Sequence, residues 1–97
     1  MRIVARKPLR EFWEKYPDSE QALKSWWREA KFATWATPAK VKAKYGSASI
    51  IGDNRVVFNI CGNKYRLVMK FNYEVGVGLV RFIGTHAEYD KIDAEKV

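Results

Sequence analysis

"RVVFNICGNKYRLVMKFNYEVGVGLVRFIGT", Arg55 to Thr85, decides the fold. Its apolar and β-branched runs "RVVFNI", "KYRLVMKFN" and "VGLVRFIGT" are separated by "CGN" and "YEVG", each with the glycine a tight reversal wants. The stretch therefore predicts three strands in an antiparallel meander. Side chains alternate across a strand, which puts Tyr65, Leu67, Met69 and Phe71 on one face of the middle run and Lys64, Arg66, Val68 and Lys70 on the other. The first face is apolar and must be covered.

The cover lies upstream. Leu9, Phe12, Trp13 and Tyr16 recur at i, i+3, i+4 and i+7 behind Pro8, the mark of an amphipathic helix that Pro17 then ends. Leu23, Trp26, Trp27 and Ala30 repeat the spacing behind a candidate cap at Asp18 or Ser19, so two helices form a hairpin. The tryptophans are expected in the core: Trp13, Trp26 and Trp27 fall on these apolar stripes, whereas Trp35, near the helix end, could be exposed. "RIVA", Arg2 to Ala5, is a candidate first strand, and Thr37 with Pro38 opens a short third helix or turn bearing Lys40, Lys42 and Lys44. "GDN", Gly52 to Asn54, reads as the joint between two halves, neither of which could bury its apolar face alone. The expectation is an α+β fold in which an N-terminal strand and two helices pack on a mainly antiparallel sheet.

Composition agrees with that reading. Ninety-seven residues with 47% hydrophobic and 14% aromatic content suit one domain, residues 1–97, able to bury a core without disulfides. Cys61 stands alone, which excludes an internal disulfide and leaves no cysteine and histidine cluster for a metal; no cofactor is expected. The N-terminus is charged from its second residue and no run reaches the ~18 apolar residues of a membrane span, so a cytoplasmic protein is expected. Eighteen Lys and Arg against eleven Asp and Glu give a net charge of +7, which favours an anionic partner such as nucleic acid or an acidic protein. Glu88, Asp90, Asp93 and Glu95 gather at the far end, behind the basic sheet.

The chemistry concentrates in "RFIGTHAEYD", Arg81 to Asp90. Thr85 and Glu88 have the spacing of a capping box, which places His86 at the first position of a short helix and His86, Tyr89 and Asp90 on one face. A helix N-terminus favours the neutral imidazole a general base needs. If the last strand lies beside the middle one, Arg81 and Arg66 could converge on one phosphate. Such a set suits RNA cleavage without a metal, in which a ribose 2′-hydroxyl attacks the adjacent phosphate. That reaction needs a base, cations on the phosphoryl oxygens and an acid at the leaving oxygen. Each residue also has a plain structural reading: a capping histidine, a packing tyrosine, an aspartate in an acidic tail, arginines as cross-strand partners, and Lys64 and Lys70 as solubilising charges. A non-catalytic RNA-binding module or a basic protein-interaction domain would carry the same composition.

The stretch from Asn54 to Asp93 resembles the C-terminal half of HigB-family toxins, in the RelE superfamily of bacterial type II toxin–antitoxin systems. "RFIGTHAEYDKID" carries the resemblance most specifically, "FNICGNKYRLV" supports it, and the N-terminal half agrees more loosely through a short basic strand, two helices and "WWREA". The resemblance implies a RelE-like microdomain with a short C-terminal helix. It further implies an mRNA interferase that enters the ribosomal A site, cuts translated mRNA without a metal and inhibits translation. Its partners would be the ribosome and a cognate helix-turn-helix antitoxin, with DNA met only through the antitoxin complex. By matching letters, Arg66 in "KYRLV" and Arg81 in "VRFIG" take phosphate and transition-state contacts, and His86 and Tyr89 in "THAEY" take proton transfer or base stacking. Asp90 takes an orienting role, with Lys64 and Lys70 as further phosphate-binding candidates.

Overall fold

Burial of the apolar stripes drives two layers together in the computed structural model, which describes residues 1–97. In chain order the elements are β1 (Arg2–Val4), α1 (Arg6–Lys15), a 3-10 turn (Pro17–Ser19), α2 (Glu20–Phe32), α3 (Pro38–Lys44), β2 (Ser49–Ile51), β3 (Arg55–Ile60), β4 (Tyr65–Asn72), β5 (Val77–Thr85) and α4 (His86–Tyr89). The sheet order is β1-β5-β4-β3-β2. The expected meander is its centre, β3 and β5 flanking β4 in antiparallel pairing. At one edge β1 pairs with β5 in parallel, and at the other β2 pairs antiparallel with β3.

Strand β2 corrects the reading of "GDN" as a joint between halves. Gly52 to Asn54 close a hairpin, with Asp53 and Asn54 at φ 56° and 59°, a left-handed conformation these two residue types tolerate better than most. The alternation read in β4 holds. Tyr65, Leu67, Met69 and Phe71 join Val56, Phe58 and Ile60 beneath Leu9, Phe12 and Trp13 of α1 and Leu23, Trp26 and Ala30 of α2. Phe58 stands edge-on to Trp26 and to Tyr45, each at 5.2 Å between ring centroids, a geometry aromatic quadrupoles favour.

Of the tryptophans, Trp35 joins the core and Trp27 departs from it. Trp35 is buried, edge-on to Phe71 at 5.8 Å and to Tyr45 at 6.0 Å, because the chain leaving α2 turns back over the sheet. Trp27 is only half-buried, with Arg6 at 4.4 Å and Lys31 at 4.8 Å from its ring, so its exposed area is covered by cations.

An irregularity in the central pair matters most for the site. Val68 pairs with Phe82 but Met69 pairs with Val80, leaving Arg81 as the extra residue of a β-bulge. Unbroken alternation from Ile83 would send Arg81 into the helix-covered face. The bulge turns it out of that face while Val80 and Ile83 stay packed against the core.

Candidate active site on the second face of the sheet

The face of the sheet away from the helices is not bare. Arg66, Val68 and Lys70 project there from β4, with Arg55, Val57 and Asn59 as their β3 partners, and Val57 and Val68 are both buried. Helix α4 and the residues after it fold along this side, as the hydrogen bonds from Arg55 and Arg81 to the Val97 main-chain oxygen show.

Helix α4 starts where expected and for the expected reason. Thr85 Oγ1 accepts from the Glu88 amide at 3.1 Å and Glu88 Oε1 accepts from the Thr85 amide at 2.8 Å, the reciprocal pair of a capping box. The Thr85 amide holds the Glu88 carboxyl below its ordinary range. His86 is tied to the start of β4 through its own amide, which donates to the Lys64 carbonyl at 3.0 Å.

One cluster forms at this end. His86 Nδ1 lies 3.0 Å from Asp90 Oδ2, both side chains being about half exposed. A carboxylate on Nδ1 holds the imidazole with Nε2 free to meet a substrate proton. Arg66 is 8% exposed, and its guanidinium lies 6.0 Å from the Tyr89 ring centroid. It donates to the carbonyls of Asn63 and Tyr65 at 3.0 and 3.2 Å and to Asn63 Oδ1 at 2.8 Å, so the arginine is held rigidly. Gly84 faces Arg66 across the ladder, and a Cβ there would lie 2.6 Å from the Phe82 ring. The structure thus brings Arg66, His86, Tyr89 and Asp90 together.

The remaining candidates lie elsewhere. Arg81 shares the face but is turned toward Arg55: its Nε donates to the Val97 main-chain oxygen at 3.1 Å, and the Arg55 Nε donates to that same oxygen at 3.0 Å. Arg81 converges with Arg55, then, where the sequence had suggested Arg66. Lys70 Nζ lies 3.3 Å from Asp53 Oδ2, which Arg55 Nη1 also meets at 2.6 Å, and these two cations hold the Asp53 carboxyl below its usual range, Arg55 foremost. Lys64 does not stand with Arg66. Its ammonium pairs with Asp18 of the 3-10 turn, whose other oxygen accepts from the Tyr65 hydroxyl at 2.6 Å. Sequence reasoning missed Arg55 and Asn63 as parts of this face; Arg55 was visible only as a charge at the start of a strand, and no local spacing links it to Arg81.

The family profile of HigB_toxin, the RelE-like toxic component of a toxin–antitoxin system, matches residues 19–92. The chain is also 29% identical over 94 residues to the mRNA interferase HigB of Escherichia coli O6:H1, covering 95% of this chain and 91% of that protein. It is 29% identical over 92 residues to the mRNA interferase toxin HigB of Escherichia coli K12 and to the mRNA interferase HigB of Shigella flexneri, covering 93% of this chain and 88% of each.

Proposed function

Because the chain belongs to the HigB toxin family, the RelE-like toxic component of toxin–antitoxin systems, we propose that it is a metal-independent mRNA endoribonuclease that cuts translated mRNA on the ribosome and so inhibits translation. The observation that carries the reading is the Arg66, His86, Tyr89 and Asp90 cluster, with an imidazole 3.0 Å from its carboxylate partner and a rigidly held guanidinium 6.0 Å from the Tyr89 ring of the same short helix. In the proposed reaction His86 Nε2 accepts the proton of a ribose 2′-hydroxyl. The 2′-oxygen forms a bond to the adjacent phosphorus as the bond from phosphorus to the 5′-oxygen breaks, giving a 2′,3′-cyclic phosphate and, once that oxygen is protonated, a 5′-hydroxyl end. Arg66 meets the charge that builds on the phosphoryl oxygens, and a preorganised donor of this kind is worth about 3 to 4 kcal/mol in a transition state. Tyr89 presents its ring between Arg66 and the substrate base.

A family of toxic components implies an antitoxin as partner. The proposed antitoxin is a helix-turn-helix protein, through which alone the pair meets DNA. The surplus of cations, +7 over the whole chain, supports grip on ribosomal RNA through its phosphates. No helix is long and apolar enough to cross a membrane.

The test is mapping of transcript 5′ ends after induction. Cuts phased with codons are expected for the wild-type chain and should vanish in His86→Ala; unphased cuts, or the same ends in both, would remove the ribosome-dependent nuclease reading.

A further inference from the structure

Arg55 is a buried cation that the proposed reaction does not use. It is 5% exposed, donates from Nη1 to Asp53 Oδ2 at 2.6 Å, and donates from Nε and Nη2 to the main-chain oxygen of Val97. Arg81, re-aimed by the bulge, donates from Nε to that same oxygen at 3.1 Å, and its two terminal nitrogens have no partner in the protein. Lys70 completes the group through Asp53. Two of these three cations, Arg55 and Lys70, meet one aspartate, and a single oxygen of Val97 serves two guanidinium groups. The forked donors of both side chains suit the several oxygens of a phosphate, and Arg81 keeps its two terminal nitrogens for them.

We propose that Arg55 and Arg81 form a second phosphate-binding subsite for the RNA backbone and that residues 93–97 leave it when RNA binds. The inference rests on the nuclease reading and extends it to a residue outside the cluster. Rows of same-face side chains run from Arg66 and Gly84, through Val68 and Phe82, to Arg55, Lys70 and Leu79. Two rows amount to about 13 Å at ~3.3 Å per residue, so the subsite takes a neighbouring phosphate and not the one being cut. The segment that fills it is built to move as a unit: the Asp93 carbonyl accepts from the amides of Lys96 and Val97 at 3.0 and 3.2 Å, bonds that survive displacement. The same segment carries Glu95, whose carboxylate rests over Gly52 beside Asp53. Its departure removes an acidic group as well as the competing oxygen.

The experiment titrates a short single-stranded 2′-O-methyl oligoribonucleotide, which cannot be cut, into the full chain at several salt concentrations. Arg55→Gln and Arg81→Gln are each expected to weaken binding severalfold. Their double variant should flatten the dependence of log affinity on log salt by about 0.7, the contribution of one single-strand phosphate, and not by twice that. Val97 methyl resonances of the wild-type chain should shift in step with saturation by the oligonucleotide. Because Arg55 is buried and its variant risks misfolding, exposed Arg81→Gln and the Val97 signals decide the matter without it. An unchanged salt slope in Arg81→Gln with unmoved Val97 signals overturns the proposal, as do signals that move with the antitoxin but not with RNA. Codon-phased cuts in cells would leave the nuclease reading standing after such a result; an absence of cuts beside the expected titration would remove that reading and keep the subsite.

Discussion

His86 and Asp90 are one turn apart, and their 3.0 Å contact is the smallest unit of the proposed chemistry. His86→Ala is expected to lower single-turnover cleavage on programmed ribosomes by about 10²- to 10⁴-fold, the usual worth of a positioned acid or base. Asp90→Asn should cost less, since an amide oxygen can take the place of Oδ2 beside Nδ1. A rate equal to that of the wild type would assign Asp90 to the acidic tail alone. A separate residue tests backbone strain. Ala5 precedes α1 at φ 70°, where an L side chain costs roughly 1 kcal/mol or more, so Ala5→Gly is expected to raise stability by about 1 kcal/mol in urea unfolding. His86, Tyr89 and Asp90 were legible because their relation is local, set by helical spacing. Arg55 was not, because the oxygen it shares with Arg81 lies 42 residues downstream.

Among the elements, α4 has four residues and owes its position to the capping box and to the His86 amide on β4. Thr85→Ala removes one half of the box and is expected to cost about 1 kcal/mol, with a matching loss of order at His86 seen in its ring resonances. The β4–β5 pair is equally demanding at Gly78, where a Cβ would lie 2.8 Å from the Phe71 ring in the core. Gly78→Ala is therefore expected to destabilise the chain by about 1 to 3 kcal/mol in chemical denaturation, as overpacking does. Strand period and helix period were readable from the order of apolar residues, which is why the meander and α1 and α2 lie where the spacing places them. Of the edge strands, β1 was readable from the β-branched run "RIVA", whereas β2 was not: it has three residues, too few for alternation to declare itself, and pairs along the open edge of β3.

For the molecule as a whole, acid should loosen the join between the helical layer and the sheet. Asp18 on the 3-10 turn takes hydrogen bonds from Lys64 and Tyr65, which hold its carboxyl below the ordinary value of 3.8. A folded-state pKa that is depressed gives stability present above the unfolded value and lost as pH falls through the folded one. The difference in stability between the wild type and Asp18→Asn is thus expected to hold at neutral pH and to shrink below about pH 4. A constant gap across that range would show that Asp18 acts by shape alone. Lys64, one of its partners, illustrates the limit of reading a single chain of letters. Alternation assigned it to the face of Arg66, but it precedes β4, and a carboxylate 46 residues upstream claims its ammonium. Composition, period and capping motifs act between neighbours, and they were enough to settle two layers, the strand meander and the histidine's helix. Convergence of Arg81 with Arg55 came instead from a bulge, which shifts pairing by one residue and redirects a side chain to the opposite face. Such a shift depends on how two strands and the segment over them pack at once, and no period within any one of them records it.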